Sequence, residues 1–307
     1  MKPRSRYGIG EWYGDLFVSL SPAKRRDYAM QQFLHKKKRP LHACPFKTLD
    51  PNDKTCTKEG GVCSLRLYRT EGKGDQVSDA AEHLGPLVTT CPYRFQEAGT
   101  VFGWVGEILL GHKQPAIVGE VGLLERTVGS GDEDVGRIDS VLVHPRLESL
   151  QWCALEIQAV YFSGTKMGRE FAVLRNPKSL GVPFPVGHRR PDFRSSGPKR
   201  LMPQLQIKVP TLRRWGKKMA VLVDRSFFDS LGEMDDVKDV SNCDIAWSVV
   251  KYENRSGRAT LAPDFVRLTT LERAVEGLTG GVPVSLEVFE ARIREKVAGR
   301  PGHGEAS

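Results

Sequence analysis

The sequence predicts an α/β (α+β) fold: a mixed central sheet flanked by helices, preceded by a loop-rich N-terminal module. Three observations carry that expectation. Beyond residue 95, apolar runs of strand length alternate with stretches of helical periodicity. The first hundred residues show little sustained periodicity and hold four of the six cysteines. The chain of 307 residues, 39% hydrophobic and 27% charged, has material for a large core in one or two domains.

Element by element, Ser21 can cap a helix over residues 22–36, with Pro22 at its first position. Residues 41–95 are rich in turn formers such as "DPND" and "EGG", and so long a loop in a compact chain needs another organiser. "AGTVFGWVGEILLG" spaces Val101, Phe102, Val105, Ile108 and Leu109 as a helix and stops at Gly111. "PAIVGEVGLLE", "GRIDSVLV" and "WCALEIQAVYF" read as three strands. A long basic stretch follows, in which Pro210 opens a short helix, "TLRRWGKK", leading into a fourth strand, "MAVLVD". "CDIAWSVVKYE" is a fifth. Two helices close the chain. The first starts at Thr269 with Glu272 completing a capping box and has Leu271, Val275 and Leu278 on one face. The second carries Leu286, Phe289, Ile293 and Val297 on a stripe suited to packing. The tail "GRPGHGEAS" is expected to be disordered. The division implied is an N-terminal helical and loop module over 1–95 and a regular domain of strands and helices over 96–307.

Charge narrows the partner. The net charge is +9, yet residues 166–218 alone hold 14 Lys and Arg against Glu170 and Asp192, an excess of +12. Such clustering is the footprint of a polyanion, most often nucleic acid, with a solvated basic loop as the plainer alternative. No apolar run approaches the ~20 residues of a membrane span, and the basic N-terminus has no apolar stretch behind it, unlike a secretory signal. An intracellular location is expected, where cysteines serve as thiols or metal ligands more often than as disulfides.

The chemistry is suggested by carboxylates in apolar strands. Glu156 and Gln158 lie two apart and share one side of their strand. If "RIDSVLV" pairs antiparallel with it, Asp139 lies across from Glu156. An unpaired buried carboxylate is costly, whereas two converging ones make an oxygen-rich site for a hard cation such as Mg²⁺, which polarises phosphoryl oxygens and activates water. The alternative is a solvent-facing sheet surface, or a pairing of Asp139 with Arg137. Cys44, Cys56, Cys63 and Cys91, with 11, 6 and 27 residues between them, lack C-x-x-C knuckles. Each nevertheless lies in turn-like sequence, and a metal could organise this region. Iron and zinc both accept a tetrahedral S₄ set; His42 and His83 are possible substitutes. Cys153 and Cys243 read as buried core thiols.

The order helix, strand, strand with Asp, strand with Glu-x-Gln, helix, strand resembles the core of the PD-(D/E)xK nucleases. "RIDSVLVHP", "WCALEIQAVYFSG" and the upstream "CPFKTLDPNDKTCTKEGGVCSL…CPYRF" are, more specifically, similar to the NotI-type restriction endonucleases over roughly residues 40–165. The resemblance implies Asp139 and Glu156 as ligands of a catalytic Mg²⁺, the Ile157 carbonyl as a further ligand, and Gln158 where most relatives have Lys. Gln orients by hydrogen bonds and carries no charge, so more of the activation falls to the metal. Glu107 is a loose candidate for holding the metal's water. The resemblance also implies one structural iron on Cys44, Cys56, Cys63 and Cys91, a GC-rich palindromic target containing GGCC, and cuts leaving 5′ overhangs. A palindrome suits a homodimer with one active site per strand. Arg is the usual reader of guanine, which makes Arg189, Arg190, Arg194, Arg200, Arg213 and Arg214 the DNA-binding candidates. The competing readings are a non-catalytic, metal-dependent DNA-binding protein and a structure-specific repair nuclease.

Overall fold

The computed structural model describes residues 4–48, 52–70, 76–77, 83–128, 131–146, 148–176, 181–255, 257–280 and 284–298. The tail expected to be disordered, 299–307, lies outside them, as does part of the "DPND" turn.

The N-terminal part is more regular than its sequence suggests. Strand β1 (Arg4–Trp12) turns back into β2 (Asp15–Leu16). Their two-residue loop has Tyr13 and Gly14 both at positive φ, 49° and 89°, as the twist of a tight hairpin requires. Helix α1 (Pro22–Gln31) is capped by Ser21, whose side chain accepts from the Lys24 amide; it ends earlier than expected. The stretch expected to be loop holds β3 (Val62–Thr70), β4 (Gln76–Val77) and β5 (Leu84–Thr89). With β2 and β1 they form a four-stranded antiparallel sheet in the order β2-β1-β3-β5, β4 standing apart. Trp12, Phe17, Tyr28, Leu65 and Tyr68 fill the core on this sheet.

Helix α2 (Thr100–Leu110) stops at Gly111 in the left-handed conformation, as expected. The strand read from "PAIVGEVGLLE" is two, β6 (Ala116–Val118) and β7 (Val121–Val128). The strand read from "GRIDSVLV" is also two, β8 (Gly131–Ile138) and β9 (Ser140–Val143), broken at Asp139. β7 and β8 make a separate ribbon. β10 (Trp152–Ile157) ends before Gln158. Then come β11 (Phe162–Gly164), α3 (Gly168–Arg175), β12 (Val182–Pro183), β13 (Arg189–Pro191) and α4 (Phe193–Ser196). A π turn over Gly197–Leu201 leads into α5 (Met202–Arg214). Phe171 and Leu174 of α3 and Phe184 return to the N-terminal core, where Trp12 stacks on Phe171 at 5.3 Å.

Pro210 lies inside α5 rather than opening a helix. The helix tolerates it in its last turns, where one lost N–H bond is a local cost. β14 (Met219–Asp224), α6 (Arg225–Phe228) and β15 (Ile245–Arg255) follow. β16 (Arg258–Thr269), absent from the sequence reading, is an edge strand. Its Pro263 sits opposite Val250 at a register shift, where a missing donor is tolerated. Helix α7 (Leu271–Thr279) is capped by Thr270 rather than Thr269, through the Arg273 amide. α8 (Leu286–Ala298) closes the described chain. Its stripe does not pack as expected: Leu286 is 71% exposed and Phe289 54%.

The central sheet has the order β16-β15-β14-β10-β9-β6. β10, β14 and β15 run parallel, and β9, β6 and β16 run antiparallel to their neighbours. This is the mixed sheet expected. Alternation along the strands gives it two apolar faces. Leu142, Leu155, Ala220 and Leu222 pack on Val101, Phe102 and Val105 of α2. Val141, Ala154, Val221 and Trp247 pack on Leu205, Val209 and Leu212 of α5, with Ala274 and Leu278 of α7.

Candidate active site and metal centre

The register of two strands builds the site. β9 and β10 pair antiparallel with Ser140 opposite Leu155 and Val141 opposite Ala154. One step further, Asp139 stands opposite Glu156, just where β8 gives way to β9. Alternation from Ala154 turns Glu156 toward α5. Asp139 is exposed and Glu156 is 2% exposed, so one carboxylate is buried and the other meets solvent. Burial first, and then the neighbouring Asp139 charge, pushes the Glu156 carboxyl up to about 7. Lys208 pulls the other way.

Lys208 is the residue that sequence reasoning missed. Its Nζ donates to Glu156 Oε2 at 2.7 Å and to Gln204 Oε1 at 2.8 Å, and it is 5% exposed. In the sequence it is one of many cations in the basic stretch. Placing a helix start at Pro210 also leaves it outside any helix. The signal was the spacing of Leu201, Leu205, Lys208 and Leu212, an apolar stripe with one lysine in it, since Lys is almost never fully buried unless paired. Gln158, which sequence places beside Glu156, lies past the end of β10. It is buried, its backbone N–H donates to the Leu222 carbonyl, and its side-chain amide donates to the Ala159 carbonyl. Ile157 is the last residue of β10. Glu107 does not join them: it pairs with Lys113 at 3.3 Å, half-exposed, on α2 across the sheet.

Two carboxylates and a strand-end carbonyl are hard oxygen donors. They fit an ion such as Mg²⁺, which keeps several of its waters and takes one or two carboxylates. Such an ion would polarise a phosphoryl oxygen and lower the pKa of water bound beside it.

The cysteines are brought together. Cys44, Cys63 and Cys91 are buried against Phe46, with Cys56 and Tyr93 beside them, and all are free thiols. Burial raises the Cys56, Cys63 and Cys91 thiols above their ordinary value. Backbone amides bonded to the sulfurs oppose it: Lys58 at Cys56, Gly14 at Cys63, Tyr93 and Arg94 at Cys91. Amides donating to sulfur favour the thiolate, the form that binds metal. Four sulfurs suit a tetrahedral S₄ ion. Among the described residues no three His, Cys, Asp or Glu are placed as a group that could hold a metal ion. His42 is stacked on Tyr13 at 3.8 Å and bonded to Gln31. Cys153 and Cys243 are buried core thiols, as expected.

The candidate DNA-binding arginines divide. Arg189, expected among the DNA-binding arginines, is an internal cation. Its guanidinium is inaccessible, pairs with Glu170 at 2.9 Å and donates to the Thr165 carbonyl. Arg190, Arg194 and Arg200 are exposed, and Arg200 lies 3.8 Å over the Tyr161 ring. Arg213 is tied to Asp244 and Glu272, which neutralise much of its charge, whereas Arg214 is exposed and donates to Thr211. An open groove lined by Lys166, Arg169 and His188 lies beside β11. Among the described residues no helix is long and apolar enough to cross a membrane.

A protein-family model described as restriction endonuclease NotI matches residues 29–261. The matched span takes in the four clustered cysteines, Asp139, Glu156, Gln158 and Lys208. No curated protein matches the chain.

Proposed function

We propose, from the premise that the chain belongs to the NotI restriction endonuclease family and is a type II site-specific deoxyribonuclease, that Asp139 and Glu156 are its metal-binding carboxylates. The ion is Mg²⁺, with the Ile157 carbonyl as a further ligand and Gln158 orienting the reacting groups by hydrogen bonds. The observation that carries this is the placement of Asp139 opposite a buried Glu156. The reaction is hydrolysis of a phosphodiester: a water oxygen bonds to phosphorus, one P–O ester bond breaks, and the leaving oxygen ends protonated. Asp139 and Glu156 hold charge and position, Gln158 orients, and the packed α5 face excludes water from behind.

The finer reading is a homodimer cutting within a GC-rich, GGCC-containing palindrome to leave 5′ overhangs. Arg190, Arg194, Arg200 and Arg214 supply DNA contacts. Cys44, Cys56, Cys63 and Cys91 hold a structural iron, with zinc as the alternative, and residues 1–95 act as the module that this metal organises. The setting is the bacterial cytoplasm, which agrees with six unpaired thiols. Cleavage of plasmid DNA of known sequence tests the reading. Discrete bands that require Mg²⁺ support it; a smear favours a structure-specific nuclease, and binding without cutting favours a regulator.

A further inference from the structure

The nuclease reading leaves a chemical gap. Gln158 is neutral and its amide donates to the Ala159 carbonyl, so strand β10 offers no cation to the phosphate. A cation nevertheless reaches the same carboxylate from the opposite layer. Lys208 sits in the apolar stripe of α5, between Leu205 and Leu212, which are both buried against the sheet. Its ammonium contacts Glu156 at 2.7 Å with both side chains nearly inaccessible. Gln204, one turn earlier on α5, holds it at 2.8 Å. An ammonium has three donors, and these two acceptors use two of them. A lysine in a core stripe loses hydration that only a specific partner offsets, and the partner here is the proposed metal ligand.

We propose that Lys208 replaces, from the neighbouring helix, the lysine that position 158 lacks. It holds Glu156 in place and balances its charge in the metal-free protein. With Glu156 engaged by the metal, its ammonium is left to face the phosphate being cut, where negative charge grows in the transition state. The proposal rests on the reading of Asp139 and Glu156 as metal ligands. It makes Lys208 a residue that positions Glu156 in the metal-free protein and meets the phosphate during cleavage, and it carries a signature that a purely structural brace lacks. Removing a brace weakens metal binding and cleavage together. Removing a competing cation that also serves the phosphate strengthens metal binding and slows cleavage.

The experiment compares the full-length protein with Lys208→Met, Lys208→Arg and Glu156→Ala. Calcium binding without DNA is measured by calorimetry, and single-turnover cleavage at saturating Mg²⁺ is measured separately. Lys208→Met is expected to bind Ca²⁺ about tenfold tighter, since a unit charge at this range counts for at least that much. It should cleave about a hundredfold more slowly, the scale of losing one electrostatic donor, and Lys208→Arg should recover part of the rate. Cleavage at the wild-type rate in Lys208→Met overturns the proposal, as does weakened Ca²⁺ binding in both Lys208 variants. If Glu156→Ala keeps both Ca²⁺ binding and cleavage, the metal-site reading itself fails and takes the proposal with it.

Discussion

Glu156 Oε2 accepts a 2.7 Å bond from Lys208 Nζ across 52 residues of sequence, and both side chains are buried. The pair joins the sheet to the helix layer on its α5 face. Beside it stands Asp139, a second carboxylate that lies toward solvent. The arrangement is a buried ion pair with a second carboxylate at its solvent-facing edge.

Moving the cation back to the strand tests whether position or mere presence matters. In the Lys208→Met background, Gln158→Lys is expected to recover at least about tenfold in single-turnover cleavage, part of the ~100-fold that one electrostatic donor is worth. No recovery would show that a cation from the strand cannot serve in place of one from α5.

The titration of Glu156 predicts how metal and pH interact. A carboxyl raised in the folded protein stabilises it fully below the unfolded value, 4.5, and loses that contribution as pH rises through about 7. Metal-free wild type should therefore lose stability relative to Glu156→Gln across that window. Calcium, binding the ionised form, should raise the melting temperature more at about pH 8 than at about pH 5.5. Equal shifts at both pH values would mean that Glu156 is not the group that binds.

The cysteine cluster predicts a stoichiometry. Purified protein should hold one iron or zinc per chain, red with ferric–thiolate absorption bands in the first case and colourless in the second. Cys63→Ser, at the buried heart of the cluster, should lose that metal and lower the melting temperature by several degrees, because binding energy at a structural site is folding energy. Unchanged metal content in Cys63→Ser would place the ion elsewhere.

Two arginines close in sequence should behave differently. Arg189→Met leaves the buried Glu170 with the Gly187 amide but no charge partner, which is expected to cost about 3–5 kcal/mol in urea denaturation. Arg200→Ala, on an exposed residue, should leave stability nearly unchanged and weaken DNA binding, lowering the salt-dependence slope by about one. Reversed phenotypes would contradict the assignment.

What the sequence made legible follows from how local each signal is. Ser21, Gly111 and the strand "MAVLVD" act within a few residues, and the structure has them as read. The facing of Asp139 and Glu156 needed only period-two alternation and an antiparallel pairing. β1 escaped notice because Gly8 and Gly10 dilute its pattern, and β16 because Pro263 reads as a strand breaker unless the strand is known to be an edge. The break at Asp139 and the split of "PAIVGEVGLLE" reflect strands leaving the sheet for a ribbon, which no local pattern encodes. Lys208 was hidden by distance: its meaning comes from Glu156, on a strand that α5 meets only when the chain is folded. The burial of Arg189 was hidden for the same reason, its partner Glu170 lying on α3.

The central claim is that Asp139 and Glu156 bind the metal that cuts DNA, and one assay tests it directly. Wild type, Asp139→Asn and Glu156→Ala are incubated with a long GC-rich DNA of known sequence in Mg²⁺, in Ca²⁺ and in EDTA, with binding and cleavage read from the same samples. The account predicts discrete fragments from wild type in Mg²⁺ only, and variants that bind the DNA in Ca²⁺ but leave it whole. Full cleavage by either variant, or wild type that binds without cutting under any metal, would contradict it.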